Sequence, residues 1–470
     1  MKHTFLLIAS ITLHSLLNAQ FNQQFSGGEY SMLPQDDMTA EQRAAIFADI
    51  EANEALLLKQ GKLLPTNTKT AAVALQFPMA WNDGFDGYNF YAISNYVDHN
   101  AAYPNQLLDW NCGNRTYDTE GGYNHAGIDY FLWPFDWNLM EAGAVKIVAA
   151  APGQIVARYD GNFDQNCAFN PGSWNAVFVR HDDGSVAWYG HLKNGSVTAK
   201  GLGDLVEVGE YLGTIGSSGN STGPHLHFEV YDADDNLIDP FAGDCNDLNA
   251  TTWWADPNDY IEPQINKIQT NVNPPEFMPC PELAITNESN AFMPGDVCYF
   301  LLYAKDLSGT DLCHLRITQA DGSIWHDWEF YQPADYYVAS YWYWWYTLPS
   351  GAPEGEWTWS CELAGEYYEH KFIVGDMPTA INESSWLPDA TASYNNGAIQ
   401  VNLNNEASNV SSINLINSIG QTMMEVININ EITNHAVTIP VEQMSAGIYY
   451  ITIHDNKSHQ FKSIPIVIND

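Results

Sequence analysis

The chain has 470 residues, 45% of them hydrophobic, 13% aromatic and 16% charged, with 17 Lys and Arg against 57 Asp and Glu for a formal net charge of −40. That composition excludes a disordered chain, and the length is too great for one core, so about three domains are expected. So acidic a balance repels nucleic acid and anionic membrane surfaces, and suits cationic partners or a salty habitat.

In chain order, Met1-Lys-His-Thr4, the apolar run Phe5 to Leu13 and Asn18-Ala19-Gln20 form the three parts of a secretory signal peptide, residues 1–19, with cleavage after Ala19. No segment reaches the about 18 consecutive apolar residues of a membrane span. The mature protein is therefore expected to be exported, with no integral membrane span. Thr39 and Gln42 make a capping box that opens a helix running through Leu58 and closing near Gly61. This helix belongs to an N-terminal arm or pro-segment, residues 20–78. Residues 79–120, rich in Gly, Asn, Asp and Tyr, read as loops and short strands attached to the histidine-bearing segments after them.

Gly122-Tyr-Asn-His125-Ala-Gly-Ile-Asp129 sets a histidine and a carboxylate four residues apart. On a helix the pair would share a face, but the glycines argue for a loop running into a strand. Along a straight strand the two would stand roughly 13 Å apart, so the chain must turn near Gly127 for both to reach one ion. An aromatic stretch, Phe131-Leu-Trp-Pro-Phe-Asp-Trp137, comes directly after and is placed to reshape a cleft. Ala187-Trp-Tyr-Gly-His191-Leu192 is strand-like with a single histidine. His181, in Val179-Arg-His-Asp-Asp-Gly184, is assigned to a hairpin turn. Finally, His225-Leu-His227-Phe-Glu-Val230 reads as a strand leaving a Gly/Ser-rich turn, with both histidines on one face, starting about 6.6 Å apart. That spacing suits one metal ligand and one neighbour reaching what the metal binds.

The order and setting of these segments, with Val148-Ala-Ala-Ala-Pro-Gly-Gln-Ile-Val156 and Asp204-Leu-Val-Glu-Val-Gly209 between them, resemble the lysostaphin/LytM-type zinc endopeptidases over residues 121–241. The resemblance implies an antiparallel β-sheet catalytic domain, here residues 79–265, in which His125, Asp129 and His227 hold Zn2+ while His191 and His225 are catalytic. It also implies a secreted zinc metalloendopeptidase that cuts peptidoglycan stem peptides or cross-bridges, or glycine-containing extracellular peptides, by attack of zinc-bound water. The donor chemistry agrees, since neutral imidazoles and a carboxylate are ordinary zinc ligands and three of them leave a position open for water. Asn111 and Asn114 are amides able to plug that position in a latent form. Two other classes stay open: a catalytically silent LytM-like binding or activating module, and a cell-wall or polysaccharide-binding surface protein.

Beyond Pro263 the composition shifts, and Asn273-Pro-Pro-Glu-Phe-Met-Pro279 reads as a linker. Residues 276–376 then show short strands at regular spacing, a β-sandwich. Its run Tyr336 to Trp345 is either core plus cover or a surface that stacks on polysaccharide rings. After a second linker around Glu383 to Asp389, residues 388–470 resemble the C-terminal sorting domain of the type IX secretion system, on the segments Asn417-Ser-Ile-Gly-Gln421 and Ala446-Gly-Ile-Tyr449. The resemblance implies a small C-terminal β-sandwich and export across an outer membrane to the cell surface or beyond. The usual basic ending is replaced by Ile464-Pro-Ile-Val-Ile-Asn-Asp470. The fold expected is mainly β with one N-terminal helix. Seven cysteines at 112, 167, 245, 280, 298, 313 and 361, with no CxxC pair, fit disulfides in an oxidising destination; the pairing stays open, and the odd count leaves at least one thiol free or paired with another chain.

Overall fold

The computed structural model of the chain describes residues 24–66 and 72–375 and, between 391 and 468, seven strands with a few residues beside them. The signal peptide and the stretch 383–389 lie outside the described residues. The fold is mainly β, in sheets that among the described residues are antiparallel apart from one short parallel pair.

An eight-stranded sheet positions the site. Its order is Tyr91–Asn95, Ile128–Leu132, His225–Tyr231, Val186–Gly190, Ala176–Arg180, Gly153–Tyr159 and Leu205–Val206, with Leu237–Ile238 pairing on the end of the His225–Tyr231 strand. All seven residues of the His225–Tyr231 strand are buried, because each face of the sheet is covered. Leu226, Phe228 and Val230 point into a core shared with Ile147 and Leu212 of a small sheet built from Met79–Trp81, Val145–Val148 and Tyr211–Thr214. On the opposite face, Trp188, Phe178 and Tyr231 pack against Ile46, Phe47 and Ile50 of the helix Ala40–Lys59. The alternate row of the strand, His225, His227 and Glu229, is thus sealed between sheet and covering segments. Buried polar groups in that row need partners, and the site is built from those partners.

The helix begins and ends where local chemistry requires. Gln42 N donates to Thr39 Oγ1 at 3.1 Å and Thr39 N to Gln42 Oε1 at 2.9 Å, closing the capping box. Gly61, at φ +67°, turns the chain out of the last turn. His181 lies in the hairpin turn, with His181 N on Ser185 O at 2.8 Å, and its ring is buried against Pro152 O.

A second, short helix, Asp136–Ala142, adds to the one helix expected and grows out of the aromatic stretch after Asp129. That stretch does not reshape the cleft. Trp133 and Phe135 pack with Tyr30, Phe277, Leu301 and Tyr303 against the outer face of the next domain, and Trp133 Nε1 donates to Ala304 O at 3.2 Å. A buried ion pair, Arg115 Nη2 to Asp306 Oδ1 at 2.9 Å, crosses the same seam.

The sandwich has a four-stranded sheet in the order Phe25–Glu29, Tyr336–Thr347, Val297–Ser308, Gln264–Asn271, facing a five-stranded sheet in the order Ala291–Phe292, Glu366–Val374, Gly355–Leu363, Cys313–Thr318, Ile324–Phe330. Trp342, Trp344, Trp357, Trp359, Phe300 and Phe372 fill its core. In the Tyr336–Thr347 strand, tryptophans 342 and 344 point inward while Tyr341, Tyr343 and Trp345 stay half-buried outside, as alternation in a strand requires. Two strands come from outside residues 276–376: Phe25–Glu29 from the N-terminal arm, and Gln264–Asn271, which precedes Asn273–Pro279. The proline-rich stretch therefore connects strands within the sandwich. Gly27 faces Trp342 so closely that a Cβ there would lie 2.1 Å from Tyr341 O.

In the C-terminal part, sheets of three and four strands enclose Ile399, Val401, Leu415, Ile451 and Ile453. Cys112 pairs with Cys245 and Cys167 with Cys280, leaving Cys298, Cys313 and Cys361 as buried thiols. No helix among the described residues is long and apolar enough to cross a membrane.

Candidate active site

The four histidines and one carboxylate singled out in the sequence, His125, Asp129, His191, His225 and His227, come together on one face of the central sheet. The cross-strand register sets His227 opposite Asp129 on one side and Gly190 on the other. His191, the residue after Gly190, turns back at φ +62° and sets its ring 4.5 Å from that of His225, tilted by 43°. The chain bends at Gly127 before entering the Ile128–Leu132 strand, and this brings His125 Nε2 to 3.1 Å from Asp129 Oδ1. Only glycine fits that bend: a Cβ on Gly127 would lie 2.7 Å from His227 Cε1.

Hydrogen bonds fix which nitrogen of each ring faces inward. His125 Nδ1 meets Tyr96 O at 2.7 Å and His227 Nε2 meets Glu229 Oε1 at 2.7 Å, so the protons of both rings sit on the outer nitrogens. The inner nitrogens, His125 Nε2 and His227 Nδ1, face each other at 3.3 Å. Asp129 Oδ1 lies 2.9 Å from His227 Nδ1, and Asn95 Nδ2 donates to Asp129 Oδ2 at 3.0 Å. A fourth group, which the sequence did not flag, joins them: Asp36 Oδ2, 3.2 Å from His227 Nδ1. Ligand atoms of Asp36, His125, Asp129 and His227 all lie within 4.8 Å of one another, and all four residues are buried. His191, His225 and His227 form a second, overlapping group by the same measure.

Two carboxylates and two imidazole lone pairs directed at one dry point demand positive charge there. The same demand shows in the acidities. Burial works against both charged rings, yet Asp129 raises His125 above its usual value and Asp36 lifts His227 well above the histidine range. Burial likewise opposes the charged carboxylates, but His125 and His225 hold Asp129, and His227 and His191 hold Asp36, below the carboxylate range. The positive charge can be protons on the rings or a metal cation between them. The donor set fits a cation: mixed imidazole and carboxylate ligands, each ligand histidine anchored through its other nitrogen.

His191 and His225 differ from His125 and His227. Their Nδ1 atoms donate to Ser218 O at 2.6 Å and to Gly223 O at 2.8 Å, leaving both Nε2 atoms facing the centre. His225 Nε2 is buried without a hydrogen-bond partner, and burial above all pushes its pKa down to about 4, so the ring is neutral at ordinary pH. Beside His191 opens a cavity of about 520 Å³ lined by Trp174, Tyr159, Arg158 and the helix residues Gln42 and Ile46.

Besides Asp36, four residues carry no mark of the site in the sequence analysis. Glu229 was visible in the motif, two places after His227 on the same strand face, but its task appears only in three dimensions. Arg43, on the N-terminal helix, pairs with it, Nη2 to Oε1 at 3.1 Å; burial pushes the Glu229 carboxyl up, but Arg43 and His227 hold it down at about 2. Tyr117 and Tyr123 aim hydroxyls at Asp36 Oδ1. Asn111 and Asn114 are exposed in the loop held by the Cys112–Cys245 disulfide, whereas Asp36 is buried beside His227.

Residues 124–240 match the model of peptidase family M23, and residues 395–468 match the secretion system C-terminal sorting domain. The chain thus carries a peptidase M23 domain with lysostaphin/LytM-type homologues and a type IX sorting domain. It is 34% identical over 109 residues to the glycyl-glycine endopeptidase ALE-1 of Staphylococcus capitis, covering 23% of this chain and 25% of that one. It is 35% identical over 138 residues to the peptidoglycan DD-endopeptidase ShyC of Vibrio cholerae, covering 26% and 31%. Among solved structures, a catalytic-domain mutant of the prophage-encoded M23 protein EnpA from Enterococcus faecalis is 26% identical and covers 33% of this chain and 92% of that one, at a TM-score of 0.21. The chain thus spans no more than about a third of the length of these two curated relatives.

Arg43→Ala should leave the Glu229 carboxylate buried without its counter-ion, a loss of about 3–5 kcal/mol for a pair of this kind. Urea unfolding measures it, and a change below about 1 kcal/mol would show that water reaches Glu229 and replaces the guanidinium.

Proposed function

We propose that this protein is a secreted zinc-dependent endopeptidase acting on peptidoglycan stem or cross-bridge peptides, or on other glycine-containing extracellular peptides. The observation that carries the reading is the convergence of His125 Nε2, His227 Nδ1 and Asp129 Oδ1 on one buried point that the Nε2 atoms of His191 and His225 also face. His125, Asp129 and His227 would hold the ion. Zinc, when bound, supplies a Lewis acid for the scissile carbonyl and acidifies a water. His191 and His225 turn their Nε2 atoms to the same point, where they can take a proton from the attacking water and return it to the leaving amine, with Nδ1 pinned on a backbone carbonyl in each ring. The relatives named above act on glycyl-glycine and peptidoglycan bonds, which is the support for the substrate class.

The two roles separate by experiment. His125→Ala, Asp129→Ala and His227→Ala should each lose zinc by elemental analysis, because a three-ligand site missing one ligand is incomplete. His191→Ala and His225→Ala should keep stoichiometric zinc and the unfolding midpoint while kcat on purified peptidoglycan falls by about 10²–10⁴. Zinc retained in a ligand variant, or kcat within about threefold of the parent in a catalytic variant, contradicts the assignment. Product masses from peptidoglycans of different cross-bridge chemistry identify the bond.

For export, the proposed route runs through residues 388–470, within which 395–468 match the sorting domain. Fused behind a signal-bearing reporter, this segment should carry it across the outer membrane of a type IX-competent host. Reporter held in the periplasm would count against that route.

A further inference from the structure

The segment that joins the Phe25–Glu29 strand to the Ala40–Lys59 helix crosses the candidate active site. It is fastened at both ends: the strand pairs with the sandwich over five residues, and the helix is packed through Ile46 and Ile50 and tied by Arg43 to Glu229. Between these anchors residues 35–37 run antiparallel to residues 220–222, directly ahead of His225. Thr222 N donates to Gln35 O at 3.0 Å and Asp37 N to Asn220 O at 3.2 Å. Gln35 N donates to Thr222 Oγ1 at 2.8 Å and Asn220 Nδ2 to Asp37 O at 2.9 Å. At the centre of this short ladder, Asp36 is 1% exposed. Its Oδ2 lies 3.2 Å from His227 Nδ1 and 3.3 Å from His191 Nε2, and its Oδ1 accepts from Tyr123 at 3.2 Å and from Tyr117.

An extended backbone paired on an edge, with one acidic side chain directed into the donor cluster, is how a bound peptide would lie in such a cleft. We propose that residues 35–37 are a built-in occupant of the substrate site: their backbone holds the ledge at residues 220–222 that an extended substrate peptide uses, and the Asp36 carboxylate serves as an additional ligand to the metal. The chain is therefore latent until this strap is displaced. The inference rests on the metallopeptidase reading above. Because the strap is tethered, it competes at an effective concentration of about millimolar or more, so a free peptide of ordinary affinity loses to it.

The test uses the full chain loaded with Co2+ in place of zinc, with acetohydroxamate as a small metal-seeking probe and peptidoglycan as substrate. The parent protein should show a visible spectrum unmoved by the probe. Asp36→Ala should bind the probe at least tenfold more tightly, lose its metal to a chelator at least tenfold faster, and hydrolyse peptidoglycan at least tenfold faster. Asp36→Asn keeps the shape and a hydrogen-bonding oxygen, so it folds even if the alanine variant does not, and it should move each readout in the same direction. A synthetic peptide of residues 33–38, added to the opened variant, should inhibit competitively, and its Asp36→Ala version should do so at least tenfold more weakly. Equal probe binding and equal metal loss in parent and both variants overturn the inference, whatever the hydrolysis rate. Probe binding that opens as expected, with no cleavage of any peptidoglycan, leaves the strap standing and removes the proposed substrate instead.

Discussion

Four oxygen and nitrogen atoms with lone pairs, from Asp36, His125, Asp129 and His227, meet at a point from which water is excluded. Such groups repel one another unless positive charge lies among them, and in a dry pocket no solvent softens the repulsion. The surroundings answer that constraint. Every outward-facing atom is given a fixed partner: Tyr96 O for His125, Glu229 for His227, Asn95 for Asp129, and two tyrosine hydroxyls for Asp36. Glu229 in turn needs Arg43, and Arg43 needs the helix that carries it to be packed on the sheet. The order of dependence runs outward from the centre to an element nearly two hundred residues earlier in the chain.

The same logic binds the domains to each other. The aromatic stretch after Asp129 turns its rings away from the cleft and onto the sandwich, where Trp133 and Phe135 meet Tyr303 and Phe277 in edge and stacked contacts. The Arg115–Asp306 pair and the Cys167–Cys280 disulfide cross between the same two bodies. With the Phe25–Glu29 strand built into the sandwich and the next helix built onto the central sheet, the segment between them is stretched over the site as a consequence of where its ends are held. Half of the sandwich's aromatic strand is core, as alternation dictates, and neighbouring rings of its outer sheet face form the seam.

Local chemistry was enough to find much of this. A capping box, a period of two in the His225–Tyr231 strand and a glycine between His125 and Asp129 each act over a few residues, so their meaning survives in the linear order. Even the turn at Gly127 could be required in advance, because a straight strand would have parted the two groups. The five principal side chains were legible because each sits in a short pattern of its own.

Asp36 and Arg43 were not legible, since neither Pro34-Gln-Asp-Asp37 nor the exposed-looking face of a capped helix carries a local mark of its destination. Whether an acidic loop residue faces solvent or a cluster of imidazoles depends on which surface its flanking elements are packed against, a property of contacts between parts of the chain far apart in sequence. The same holds for the aromatic stretch at 131–137, whose hydrophobicity said that it would be buried but not against what. The sequence by itself determined the capped helix, the His225–Tyr231 strand, the mainly β class and the side chains able to do chemistry, because those depend on spacing and backbone geometry. Only the tertiary structure decided what covers the site and what counterbalances its charge, because burial and electrostatic pairing belong to the whole packed molecule.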